Sequence, residues 1–372
     1  MSGGGFRETD AVLERWRAAD AADPSPSATA SWAWNRAWVD HYGKTVEVRI
    51  AEEITTRAES VSFLLTPLSG NRPLGPIPLR TLHLGTAGEP HGDGVFAEYV
   101  RPWVAASRDE AACFSDAVTS AVAFSGADRI DLDGVSDGLL SAVTFDEAVL
   151  PGPATIPRAD IERRPSPWHD TSHGDPDRVL SALGSSTRRN LKRRLKSYPG
   201  LRAEWAADAE TGLRFLDELI PMHQARWTAA GKPGAFASPR FEGFCRDLIR
   251  LSDGDERVIV SRICDDAGTV GCVLLLAQDG RVCDFTAGFA SPEERPSPGL
   301  VAHYANICEA ARRGRAGYEF LVGDARVKRD LATGERTLCW AKVPLPTARM
   351  RLATAAKRVV RAVRPLKTRG AA

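Results

Sequence analysis

Two spacings of apolar residues, helical and alternating, divide the chain into helices and strands. At the N-terminus Val12, Leu13 and Trp16 share one helical face, and the pattern stops at the breaker cluster Asp23-Pro24-Ser25-Pro26. A second helix should follow Ser31, which can cap it, and it carries Trp32, Trp34 and Trp38. These tryptophans read as core. Strand-like runs at 46–51, 61–65 and 81–84 are separated by Pro and Gly turns. Residues 110–125 read as a helix and 129–132 as a buried strand. Prolines at 151, 153, 157, 165 and 167 then mark a connection.

The second half has the clearer periodicity. Ser185 or Ser186 can cap a basic helix with Leu191 and Leu195 on one face, and residues 201–206 form a short strand. Leu213, Leu216, Leu219 and Ile220 follow at helical spacing. Pro221 lacks an N–H, so a kink or break is expected there, with residues 223–227 on the turn beyond. A further helix covers 239–251, with Phe241, Phe244, Cys245, Leu248 and Ile249 inward. Three strands come next, at 257–264, 269–278 and 281–289. The last two are joined by Asp279-Gly280, a strong hairpin signal. A loop at 291–298 feeds a helix over 299–313, and strands at 318–322 and 337–343 complete the pattern.

Composition narrows the class. The 372 residues suffice for two domains, and 43% of them are apolar, enough for a real core. The formal charge of +1 excludes a whole-chain polyelectrolyte binder, although basic residues cluster at 188–196 and from Arg349 onward. The longest apolar stretch, 271–277, is far short of the ~20 residues of a membrane span. No leader-like apolar segment opens the sequence. The seven cysteines contain no C-x-x-C pair, and several lie in apolar runs, so a reducing cytoplasm is expected. The seven histidines show no ligand spacing, so no metal site is expected.

Four stretches carry a resemblance. They are Ser186-Thr-Arg-Arg-Asn-Leu-Lys-Arg-Arg-Leu195, then Met222-His-Gln-Ala-Arg-Trp227, then Gly288-Phe289 with Ser297-Pro298-Gly299, and Phe320-Leu-Val-Gly-Asp324 with Lys328. Together they resemble the tandem-domain branch of the GNAT acyltransferases that holds CelD-like proteins of cellulose biosynthesis and Fem-type aminoacyl transferases. Residues 32–38, His83-Leu84-Gly85 and Asp93 extend the likeness into the first half. The resemblance implies a mixed α/β fold of two GNAT-like domains. Residues 1–26 would be an N-terminal extension, 27–158 a structural domain, 159–345 the acyltransferase domain and 346–372 a basic tail. This chain has Val327 and Leu331 where the family places aromatics around the lysine.

Acyl transfer from a thioester needs a cradle for the donor's phosphates, donors for the oxyanion and a base. The resemblance puts the phosphates of acetyl-CoA or another acyl-CoA at Ser297, Gly299 and Leu300, where a helix opens. Prolines 292, 296 and 298 remove donors there, and an ordinary Pro-Gly helix start is the other reading. His223 is the base candidate, being a group that titrates near neutrality, or else a packed core histidine. Asp324 either faces the cleft or caps a turn. Arg226, Trp227, Lys328 and Asp284 are candidate acceptor contacts. Arg188 and Arg189, on the basic helix, either meet an anionic partner or form a solvated face. The acceptor would be a small molecule or a glycan, without a metal. One alternative is a Fem-type transferase drawing on aminoacyl-tRNA, and another a non-catalytic accessory protein of polysaccharide synthesis. In the tail, Leu352, Ala356, Val359, Val360 and Val363 share one face amid Arg351, Lys357, Arg358, Arg361 and Arg364. Such a helix can lie on an anionic membrane, which would place the protein at the inner membrane face, or it can dock on the protein's own surface.

Overall fold

The computed structural model describes residues 4–55, 59–71, 77–90, 93–144 and 161–363. The first half runs α1 (Gly4–Ala22), α2 (Trp32–Tyr42), β1 (Ile50–Ile54), β2 (Ser60–Leu65), β3 (Leu68–Asn71), β4 (Leu79–His83), β5 (Trp103–Val104), α3 (Glu110–Ser125), β6 (Arg129–Ser136) and α4 (Asp137–Ala142). The second half runs β7 (Ile161–Asp170), α5 (Pro176–Ala182), α6 (Ser185–Leu195), β8 (Arg202–Trp205), α7 (Ala209–Ala229), α8 (Pro239–Leu251), β9 (Val258–Asp265), β10 (Gly268–Gln278), β11 (Arg281–Phe289), α9 (Pro298–Arg312), β12 (Gly317–Glu319), α10 (Arg326–Leu331), β13 (Gly334–Pro344) and α11 (Ala348–Val363).

Local chemistry accounts for the sharpest boundaries. Asp109 caps α3 by accepting from the Ala112 N–H at 2.7 Å, and Ser238 caps α8 by accepting from Phe241 at 3.2 Å. Pro239 occupies the first turn of α8, where no donor is missed. Asp279 (φ 49°) and Gly280 (φ 76°) make the tight turn from β10 to β11.

Ten strands form one mixed sheet in the order β3-β4-β6-β13-β7-β12-β11-β10-β9-β8, and β1-β2-β5 form a separate antiparallel sheet. Among the described residues two pairs in the large sheet are parallel, β4 with β6 and β11 with β12. The connection from β4 to β6 carries β5 and then α3, and that from β11 to β12 carries α9, so a helix links a parallel pair in both halves. β13 pairs with β6 on one side and β7 on the other, which makes the sheet continuous.

The pleat sorts the core. Cys272, Leu274 and Leu276 on β10 face one cluster, with Trp34 of α2 and Phe244 of α8, so this core is common to both halves. Val273 and Leu275 face another, beneath α9. A third cluster packs α3 on Ile130 and Leu132 of β6.

Several expectations are corrected. The N-terminal helix is no extension, because Leu13 and Trp16 are buried and Trp16 stacks on Phe63 at 5.3 Å. α7 runs unbroken through Pro221. The ring removes a main-chain bond, at about 3 kcal/mol or more, yet Leu216, Leu219 and His223 around it are buried and hold the helix down. Pro165 and Pro167 lie within β7 rather than in a connection, while 151, 153 and 157 fall outside the described residues. The N-cap of α6 is Gly184 rather than a serine. The strand expected at 46–51 is displaced to β1, and β12 stops at Glu319. In α11, Met350 and Ala353 are buried against Leu79, whereas Leu352 faces solvent. Arg364 lies outside the described residues, as do the side chains from 358 onward.

Candidate functional site

The parallel strands β11 and β12 pair only over Arg281–Cys283 and Gly317–Glu319. β11 continues to Phe289 while the chain leaves β12, through Leu321 in the left-handed region (φ 58°). The outer edge of β11 beyond Cys283 therefore has no strand partner among the described residues. Its register with β10 shifts between Leu274 and Leu275, which marks a bulge and turns the strand locally. α7 lies directly on this stretch. A Cβ at Gly288 would come within 2.3 Å of the Leu219 carbonyl oxygen and 2.9 Å of the His223 nitrogen, so this close approach requires glycine.

His223 does not present a free base. Its Nδ1 donates to the Ala287 carbonyl at 2.9 Å, and its Nε2 accepts from the Ala235 N–H at 3.3 Å. Those bonds fix one neutral tautomer and occupy its lone pair, and burial holds the ring below its usual pKa. The histidine ties α7 to β11. Its neighbour Trp227 packs beside it and under Lys232, and Arg226 is exposed.

The charges meet at the apex of the splayed strands. The Lys328 ammonium lies in the field of Asp284, Glu98 and Asp324. His303, on the inner face of α9, lies in that of Asp284, Lys328 and Arg226. His303 is buried, with Nδ1 3.1 Å from the Tyr318 hydroxyl and Nε2 3.8 Å from Asp284. Glu98 comes from the first half and accepts from the Val322 N–H at 2.9 Å; burial raises its carboxyl above the usual range. Lys328 is committed within the fold, donating to the carbonyls of Phe320 (2.6 Å), Leu321 (3.2 Å) and Val322 (3.0 Å). Asp324 is exposed at the rim.

A groove of about 470 Å³ opens where α9 begins, between α6 and α10. Ser297 and Leu300 line it, but the α6 residues that join them are Ser186, Thr187, Asn190 and Arg194 rather than Arg188 and Arg189. Arg188 instead donates to the Ser181 carbonyl at 3.1 Å, and Arg189 points to solvent. The Nε of Arg194 is buried without a hydrogen-bond partner. Ser297 caps α9 in the left-handed conformation (φ 60°) without a side-chain bond, and Pro298 has no N–H. The N–H groups of Gly299 and Leu300 are therefore the free donors of the first turn.

Residues 185–329 match the acetyltransferase (GNAT) domain family. They form a GNAT domain. No curated protein matches the chain in sequence. Among solved structures, FemX is 11% identical, covers 93% of this chain and 98% of its own, and superposes with a TM-score of 0.55. At that identity the likeness establishes the fold alone, which is mixed α/β. A C-terminal domain assigned to a lysylphosphatidylglycerol synthetase of Agrobacterium fabrum (14% identity, 94% and 96% coverage) scores 0.49. A tandem GNAT protein from the clavulanic acid biosynthesis pathway (13%, 92% and 97%) scores 0.38. The fold assignment rests on FemX.

A strand edge unpaired among the described residues, a cluster of charges at its apex and a groove at the head of α9 thus lie in this region. Of the residues singled out in the sequence, the fold gathers Asp284, Asp324, Lys328 and Arg226 around the apex, and Ser297 and Leu300 at the groove, with Gly299 beside them in the first turn of α9. His303 and Glu98 complete the apex without a sequence signal. One is a polar residue within an apolar helix face, and the other lies in a loop without periodicity. No described helix is long and apolar enough to cross a membrane. All seven cysteines are free and buried.

Proposed function

We infer that the GNAT half transfers an acyl group from an acyl-coenzyme A to the amine or hydroxyl of a sugar, glycan or amino-acid-like acceptor. The observation that carries this reading is the unpaired edge of β11, running from the charged apex toward the groove at the head of α9. Ala290 N–H bonds to Val270 on β10, and Ala287 C=O turns away to His223. By alternation, the N–H groups of Ala287 and Phe289 also face away from β10 and can polarise a thioester carbonyl. At the groove, Gly299 and Leu300 N–H and the Arg194 guanidinium fit phosphate oxygens.

The acceptor's nitrogen or oxygen attacks the thioester carbon, the C–S bond breaks and the thiolate leaves. Glu98 takes the acceptor's proton, since a carboxyl raised by burial is a better base than an exposed one. Asp284 and the Lys328 ammonium hold the field at the apex, and exposed Arg226 is free to meet an acceptor carboxylate or phosphate. The first half then shapes the cleft and supplies its base. One observation favours a Fem-type reading with aminoacyl-tRNA as donor. The first turn of α9 offers only two free donors, whereas α6 exposes Arg189, Lys192 and Arg193, which suit a nucleic-acid backbone.

Thermal shift and turnover with acetyl-CoA, longer acyl-CoAs and charged tRNA separate these readings. An acyl-CoA should raise the melting temperature, and Arg194→Ala should weaken its binding about tenfold through loss of a charged hydrogen bond. Glu98→Gln should lower kcat about 10²- to 10⁴-fold with donor binding retained. A response to charged tRNA alone would establish the second reading. No response to any of them would leave a non-catalytic accessory protein.

A further inference from the structure

Away from the reaction centre, the first half holds a second group of facing side chains. His83 closes β4, and Asp131 and Asp133 lie on β6, on the sheet face opposite Ile130 and Leu132. β4 and β6 are parallel, with His83 beside Asp131, so the pleat brings all three together. One ligating atom from each lies within 4.8 Å of the other two. We propose that His83, Asp131 and Asp133 bind a divalent transition-metal ion.

The state of His83 is the second observation. The residue is only 7% exposed, its Nε2 is 2.8 Å from the Ser69 hydroxyl, and its Nδ1 is buried with no partner. Buried polar atoms are rarely left so, and each needs an explanation. Gly88 (φ 98°) lays its backbone against the ring, where a Cβ would come within 2.8 Å of Cδ2, and so fixes its orientation. Burial, with Arg129 and Lys342 acting in the same sense, brings the imidazole pKa to about 4, which keeps the neutral, ligating form. Asp133 is pushed up to about 6 by burial and by the charge of Asp131. One imidazole nitrogen with two carboxylates suits zinc, manganese or iron better than magnesium or calcium, which prefer all-oxygen sites.

The opposing charges set the expected strength. Arg129 Nη2 donates to Asp131 Oδ2 at 2.8 Å, while its Nε lies 2.6 Å from Oδ1 but out of line for a hydrogen bond. Lys342 stands across from Asp131 on β13, and Arg164 acts on Asp133. Two carboxylates against Arg129 and Lys342 leave little net negative charge, so micromolar rather than nanomolar binding is expected. Asp133, the least buried of the three, gives the route in.

The test is calorimetric titration of the chelator-treated full chain with Zn²⁺, Mn²⁺ and Mg²⁺. Saturable binding of one Zn²⁺ or Mn²⁺ is expected, with Mg²⁺ far weaker. Asp133→Asn and His83→Gln should each weaken it tenfold or more, with circular dichroism unchanged for at least the variant at Asp133, the least buried of the three. The buried thiols remain in both variants, so undiminished binding would place the ion on them and overturn the proposal. Absence of saturable transition-metal binding, or Mg²⁺ binding as tightly as Zn²⁺, would overturn it too.

Discussion

Replacing Lys328 with methionine tests whether this lysine holds the site together or touches substrate. One residue beyond the antiparallel β12–β7 ladder, the Phe320 N–H reaches the Pro167 carbonyl at 2.9 Å. The return bond to the Phe320 carbonyl cannot form, because proline has no N–H. Lys328 Nζ fills that vacancy at 2.6 Å and also binds the next two carbonyls. Each charged hydrogen bond contributes about 1.5–3 kcal/mol. Burial of the ammonium, which lowers its pKa, offsets part of the sum. A net loss of about 2–4 kcal/mol is therefore expected for Lys328→Met. At about 2 °C per kcal/mol for a chain of this size, the melting temperature should fall by about 4–8 °C.

The assay is thermal unfolding of four proteins: wild type, Lys328→Met, Pro167→Ala and the double variant. Pro167→Ala restores a strand N–H facing Phe320, so it should recover about 1 kcal/mol in the methionine background. Alone it should change little, because the carbonyl is already occupied. A Lys328→Met protein that melts like wild type but loses acceptor affinity would refute the reasoning and return the lysine to the acceptor.

The remaining expectations concern α7. His223 has a depressed folded pKa, so its contribution is complete above the unfolded value near 6.5 and is lost as pH falls through the folded value. The melting-temperature gap between wild type and His223→Phe should thus be widest near pH 7.5 and narrow toward pH 5; a gap independent of pH would refute the tautomer assignment. Gly288→Ala should destabilise by about 1–3 kcal/mol or more, since α7 must move off β11, and chemical denaturation measures it.

Much of the second half was legible because its signals are local. α8 needs only Ser238, Pro239 and an apolar face, and the turn at Asp279-Gly280 announces itself. What the sequence concealed is non-local. Pro221 and the prolines of β7 look like breaks until the partners are visible: α7 is held by the core beneath it, and Pro167 pairs with β13 while Lys328 takes the Phe320 carbonyl that its missing N–H leaves open. His83 and Asp131 are far apart in sequence and become neighbours only through the parallel register of β4 and β6, so no spacing rule could pair them. Reading the histidines for ligand spacing alone could therefore say nothing about this cluster.

The same non-local logic ties the candidate site to both halves of the chain. Strand β13 follows the GNAT domain in sequence, yet it pairs with β6 as well as β7. The loop before β5 sends Glu98 to the Val322 N–H and Tyr99 to the carboxylate of Glu319, a buried group that also takes Ser166 at 2.8 Å and Arg281 at 3.1 Å. Tyr99, like Leu321 on the other side of this contact, is held at positive φ (58° each), a conformation that costs a non-glycine residue about 1 kcal/mol or more. Such backbones persist only where their surroundings over-determine them. Here the surroundings are each other, one strained turn from each half, meeting where Glu98, Lys328 and Asp284 converge. The geometry of the apex therefore belongs to the joint between the halves, and anything that loosens the joint should be felt there first.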